Sequence, residues 1–132
     1  MFSFCDIFRD YLQLYEINLI YLIKKNTKMN RKDIIYQIKK RVKKVSPGTK
    51  IILYGSEARG ESEPDSDIDV LILVDKESLS FKDKSEITEP IYDLELETGV
   101  PISPLIYTQK QWNNRPFKTP FYVNVMNEGI LL

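Results

Sequence analysis

The sequence predicts an α+β (mixed α/β) fold, one small mixed β-sheet with helices packed on one side. Two observations carry this. Apolar residues recur at helical spacing in stretches near 30–45, 80–98 and 120–127, and between them lie short, nearly uninterrupted apolar runs with the length of buried strands. The resulting order of helix, strand, strand, helix, strand, helix suits a sheet with helices laid against it. A chain of 132 residues holds about one such domain and leaves no room for a second catalytic one.

The first 28 residues, "MFSFCDIFRDYLQLYEINLIYLIKKNTK", are rich in aromatics, Ile and Leu but are interrupted by Asp6, Arg9, Asp10, Glu16 and Asn18. That pattern argues against a membrane span, which needs about 20 mostly apolar residues. No basic segment precedes the apolar part and no small-residue cleavage site follows it, so a secretory signal is not expected. The spacing of Ile7, Tyr11, Leu14, Tyr15, Asn18 and Leu22 predicts an amphipathic helix, which would need a surface to cover. Residues 1–29 are read as an N-terminal extension, either such a helix or a segment upstream of a native start at Met29, and residues 30–132 as the domain.

Asn30 is placed to cap a helix carrying Ile34, Ile35, Ile38, Val42 and Val45, which Pro47-Gly48 ends. "KIILY" (50–54) and "DIDVLILV" (67–74) are the first two strands. A helix over 80–98 follows, with Phe81, Ile87, Ile91 and Leu94 on its apolar face, Pro90 as a kink or break, and Gly99 at its end. "VPISPLIY" (100–107) reads as a third strand near a sheet edge, because its prolines cannot donate to a ladder. After an irregular "TQKQWNNRP", a short helix over 120–127 and a terminal extended piece complete the chain.

The composition excludes several chemistries. With no histidine, Ser-His-Asp catalysis, histidine general bases and histidine-containing zinc sites are all ruled out. Cys5 is the only cysteine and cannot form an intrachain disulfide, which fits a reducing compartment and makes the cytoplasm the expected location. The net charge of zero hides a polarity: residues 1–50 hold 12 Lys and Arg against 4 Asp and Glu, residues 51–132 hold 7 against 15. Most of the basic residues sit on the predicted helix after Asn30, where a solvated face is the simpler reading; only Tyr36 interleaves them, so nucleic-acid binding is not required.

The acidic residues are less easily explained. In "LYGSEARGESEPDSDIDVLI", five carboxylates fall between Glu57 and Asp67, and Asp69 follows inside the apolar run. A turn between strands does not need so many. Asp67 and Asp69 alternate along a strand, so they leave the same face with Cα atoms about 6.5–7 Å apart, close enough to share a divalent cation. Mg²⁺ favours such oxygen ligands and commonly takes one or two carboxylates together with substrate phosphates; Mn²⁺ would also serve. Gly55-Ser56 directly follows the first strand, where glycine allows close backbone approach and the start of a helix would aim N–H groups at an anion. Each feature alone has a plain structural reading: a turn, an edge-protecting pair of aspartates, and Arg59 in an ion pair with Glu57 or Glu61. Their conjunction is specific.

These residues resemble the signature of the DNA polymerase beta-like nucleotidyltransferase superfamily, a Gly-Ser followed about a dozen residues later by Asp-x-Asp, and in particular its minimal, antitoxin-type branch. The resemblance covers roughly 30–132. It implies a palm-like nucleotidyltransferase fold in which Gly55 and Ser56 bind the triphosphate of an NTP, ATP first among them, and Asp67 and Asp69 hold Mg²⁺ while a nucleoside monophosphate passes to a hydroxyl acceptor. Arg59, in the "GSxARG" form of the motif, would assist with phosphates or shape the turn. The family also implies a third carboxylate on a later strand. Here Ser103 stands near the expected place, and Asp93, Glu95 and Glu97 lie on the preceding helix. Two readings therefore diverge. One is a transferase; the other is an antitoxin-type module, partnered by a small helical toxin, that keeps nucleotide and metal binding with little turnover.

Overall fold

The computed structural model describes residues 3–26 and 28–132. Of the proposed 1–29 segment, residues 1, 2 and 27 lie outside the described residues. Six helices and four strands follow in the order α1 (Phe4–Asn26), α2 (Arg31–Val45), β1 (Lys50–Tyr54), α3 (Gly55–Arg59), β2 (Ile68–Val74), α4 (Phe81–Thr98), β3 (Ile102–Thr108), α5 (Gln109–Asn113), α6 (Pro120–Glu128) and β4 (Ile130–Leu131). The strands form one mixed sheet in the order β3-β2-β1-β4. β1 runs antiparallel to both its neighbours, and β2 and β3 are parallel, joined by the α4 crossover.

Local chemistry sets the element ends. The Asn30 side chain accepts a hydrogen bond from the Asp33 N–H at 2.9 Å, capping α2. Ser80 and Asp83 form a reciprocal capping box at the start of α4, and Gly99 ends that helix in the left-handed conformation at φ 71. α4 runs unbroken through Pro90, so the break considered there does not occur. Packing of Ile87, Ile91 and Leu94 into the core holds the helix on both sides of the missing N–H.

The core lies on both faces of the sheet. Ile68, Val70, Ile72 and Val74 of β2 pack with Ile34, Ile38 and Val42 of α2 and with Ile87, Ile91 and Leu94 of α4. Leu71 and Leu73, on the opposite face, pack with Trp112 of α5 and Val125 of α6. α2 and α4 thus lie on one side as expected, and the short α5 and α6 add a second layer. A central strand apolar at nearly every position must be covered on both sides.

Two strands start later than their sequence patterns suggest. β2 begins at Ile68, whose N–H donates to the Pro101 carbonyl at 2.9 Å, leaving Asp67 just outside the strand. β3 spans Ile102–Thr108 and pairs only with β2, the edge position its prolines require. The first helix forms, but its expected covering role is not seen: from Phe4 to Leu22 its apolar side chains are exposed wherever they are described. No helix among the described residues is long and apolar enough to cross a membrane.

Candidate active site

Register places three side chains in a row. Tyr54 at the end of β1 pairs with Asp69 near the start of β2, which pairs in turn with Ser103 on β3. Directly paired residues project to the same face; here it is the face covered by α5 and α6, because Tyr54 packs into that cluster. Asp67, two residues before Asp69, joins them: the Ser103 hydroxyl donates to its Oδ2 at 3.3 Å.

The chain enters this corner through Gly55. Its φ of 72 is a left-handed conformation that side chains resist, and a Cβ there would stand 2.5 Å from Asp69 Oδ2. Glycine is therefore required twice, for the turn and for the carboxylate's approach. Ser56 follows in α3, whose leading N–H groups have no acceptor inside so short a helix.

Of the crowded carboxylates, Glu63 and Asp65 are exposed, with no ion-pair partner among the described residues, and the other four separate into two groups. Glu57 pairs with Arg31 at 2.6 Å and Glu61 with Arg59 at 2.9 Å. Asp67 and Asp69 have no Lys or Arg partner within ion-pair distance among the described residues. Burial first, and the adjacent Asp67 second, push the Asp69 carboxyl above the usual carboxylate range, while Arg59 pulls it back. A partly desolvated carboxylate beside a second one, with neither neutralised by the protein, is a donor set that fits a divalent cation. Among the described residues no group of three or more His, Cys, Asp or Glu side chains gathers there or elsewhere.

Arg59 behaves as the plain structural reading expects. It is exposed and bonds Glu61 and, at 3.3 Å, Glu128 at the end of α6. The acids of α4 do not approach the aspartates. Glu97 pairs with Arg41 at 2.7 Å, Glu95 accepts from the Ile102 N–H at 3.2 Å, and Asp93 is exposed on the same helix, which packs on the opposite face of the sheet.

Two residues at this corner escaped sequence reasoning. The Arg31 guanidinium, mostly buried, bonds Glu57 at 2.6 Å, the Pro64 carbonyl at 3.2 Å and the Ser66 carbonyl at 2.7 Å, tying the turn that precedes Asp67 to the start of α2. Its sequence signal was a cation in the first turn of a helix, where the macrodipole disfavours it. Tyr54 is the other. Burial, Asp69 and Tyr107, in that order, push its hydroxyl up to about 12, so it stays protonated beside Asp69.

A mixed sheet with paired aspartates at the head of a central strand, facing a Gly-Ser turn, defines a nucleotidyl-transfer architecture. The chain belongs to the family described as "Nucleotidyltransferase domain", whose profile matches residues 35–132, and is a nucleotidyltransferase. Two curated relatives come from Methanocaldococcus jannaschii. "Putative protein adenylyltransferase MJ0141" is 40% identical over 81 residues, 61% of this chain and 75% of the relative. "Putative protein adenylyltransferase MJ0604" is 35% identical over 83 residues, 63% of this chain and 76% of the relative. Among solved structures, a toxin-antitoxin with AMP-PNP aligns with a TM-score of 0.48 at 19% identity, covering 78% of this chain and 72% of that one. A mutant of the toxin-antitoxin MntA-HpeT aligns with a TM-score of 0.46 at 21% identity, covering 79% and 72%.

Proposed function

We propose that this chain transfers AMP from ATP to a hydroxyl group on a protein, with Mg²⁺ or Mn²⁺ held by Asp67 and Asp69, in the cytoplasm. The observation that carries the proposal is the unneutralised Asp67–Asp69 pair facing Gly55 and Ser56. The names of the two curated relatives support adenylyl as the group and protein as the acceptor. When bound, the metal would supply charge neutralisation on the phosphates. Gly55 and Ser56 would seat the triphosphate against the start of α3, and Arg59 would have to leave Glu61 or Glu128 to reach it. In the transfer, the acceptor oxygen bonds to the α-phosphorus, the bond from that phosphorus to the β-phosphate's bridging oxygen breaks, and pyrophosphate leaves. The acceptor's proton has no dedicated carboxylate base, because the side chain beside Asp69 is Ser103, so it passes to solvent and turnover is slow.

The same Ser103 favours a second reading, a nucleotide-binding antitoxin-type module with a small helical toxin as partner. One experiment separates the two. Cell lysate is incubated with α-labelled ATP, Mg²⁺ or Mn²⁺ and the protein, beside the Asp67→Asn/Asp69→Asn variant. Labelled protein bands that the variant loses are the expected result. Metal-dependent ATP binding with no labelled product would instead favour the binding module, and absence of both would remove the nucleotide site altogether.

A further inference from the structure

α1 has 23 residues, a length of about 34 Å at 1.5 Å per residue. Phe8 is 53% exposed, Leu12 46%, Tyr15 60%, Leu19 46% and Leu22 53%. A helix gains most of its stability by packing an apolar face, and one that is apolar on most sides is normally buried. Cys5, Phe8, Leu12, Tyr15, Leu19 and Leu22 follow alternating steps of three and four. This is the only heptad phase between Phe4 and Leu22 that meets no polar residue: the two rows through Phe4 and Tyr11 run into Asn18, and the others meet Asp6, Arg9, Asp10 or Glu16. Cys5, Leu12 and Leu19 take the a positions, Phe8, Tyr15 and Leu22 the d positions.

We propose that α1 is a dimerisation helix that pairs antiparallel with α1 of a second copy of this chain. The choice of partner and direction rests on charge. In an antiparallel pair, a faces d, so Cys5 meets Leu22 of the other copy, Phe8 meets Leu19 and Leu12 meets Tyr15. The flank just after each d position holds Arg9 and Glu16, and antiparallel packing brings like flanks together. Arg9 of each copy then meets Glu16 of the other, twice across the two-fold axis, which closes the interface on itself. A parallel pair would set Cys5 against Cys5 and would put Arg9 and Glu16 opposite the flank that carries Tyr11 and Asn18, with no opposite charge. Among the described residues Arg9 bonds Asp6, exposed and at 3.0 Å on its own helix, a kind of pair worth little.

The test uses the full chain. Light scattering during gel filtration at about 50 µM should give twice the mass of the 15.5 kDa chain. Leu12→Asp should weaken self-association at least 100-fold while leaving the cooperative melt of the rest of the molecule in place. Arg9→Glu should weaken it less, and Arg9→Glu/Glu16→Arg should restore it. Direction is read on a non-reducing gel after mild oxidation: the native protein should stay uncross-linked, and Leu22→Cys should yield a disulfide-linked dimer. A monomer at this concentration overturns the proposal, whether α1 is then free, folded against its own domain or waiting for a different protein. Cross-linking by native Cys5 with none gained in Leu22→Cys overturns the antiparallel direction and with it the charge argument.

Discussion

Gly55→Ala is expected to damage the candidate site in a way a stability measurement can dissect. The backbone at Gly55 has φ 72. Holding a residue with a Cβ in that conformation costs about 1–2 kcal/mol. The new Cβ would also stand 2.5 Å from Asp69 Oδ2, so the carboxylate must swing away. A side chain forced off its rotamer loses roughly 0.5–1.5 kcal/mol. The total is about 1.5–3.5 kcal/mol, a fall in Tm on the order of 5–15 °C for a domain of this size. Gly60 supplies the control, because it has the same φ of 72 and a Cβ added there would meet nothing within 4 Å. Gly60→Ala should therefore show the backbone cost alone. Urea denaturation of both variants gives the difference, about 1 kcal/mol, and titration with Mn²⁺ followed by its EPR signal gives the consequence, weaker metal binding in Gly55→Ala and none of that loss in Gly60→Ala. Equal destabilisation of the two, with equal Mn²⁺ affinity, would refute the inference that Gly55 exists to admit the Asp69 carboxylate.

Arg31→Ala should destabilise the protein by about 2–4 kcal/mol in urea, because it strands the largely buried Glu57 and frees the Pro64 and Ser66 carbonyls; Arg31→Lys, which cannot reproduce the fork of bonds, should fall between it and the native protein. The Asp69 carboxyl is raised above its ordinary 3.8 in the folded protein, so between that value and the raised one the folded state binds more protons and metal-free stability falls as pH rises. Asp69→Asn should lack this slope, be more stable than the native protein at neutral pH without metal, and lose the Tm gain given by Mg²⁺ with ATP; melts from pH 3.5 to 8 read all three. Ser103→Asp places a carboxylate beside Asp69 on the same face. It should speed adenylyl transfer by roughly 10²-fold, the lower range for a positioned base. A chain beginning at Met29 should melt as cooperatively as the full chain, since the described apolar side chains of α1 are exposed; calorimetry showing a broadened transition would count against a boundary there.

What was legible in the sequence was whatever depends on near neighbours along the chain. The cap at Asn30, Gly99 at the end of α4 and the edge placement of the proline-bearing β3 follow from backbone chemistry over a few residues. The Gly-Ser and Asp-x-Asp spacing put both aspartates on one face because strand side chains alternate. α5 was missed although its signal was local: Thr108 and Gln111 form a capping box ahead of Trp112, in a segment whose Gln and Asn content reads as loop.

Tertiary structure decided the partners. The turn holds several carboxylates and one arginine; its order offers Glu57 and Glu61 alike to Arg59, and nothing in it says that Glu57 belongs to Arg31, 26 residues earlier, or that Arg59 also reaches Glu128. Only the folded arrangement leaves Asp67 and Asp69 without a cation among the described residues and carries the α4 acids on the helix that packs on the other face of the sheet. An ion pair forms between whichever charges the packed backbone brings within about 4 Å, and that distance is set by sheet register and helix docking, which the order of residues within any one segment does not contain.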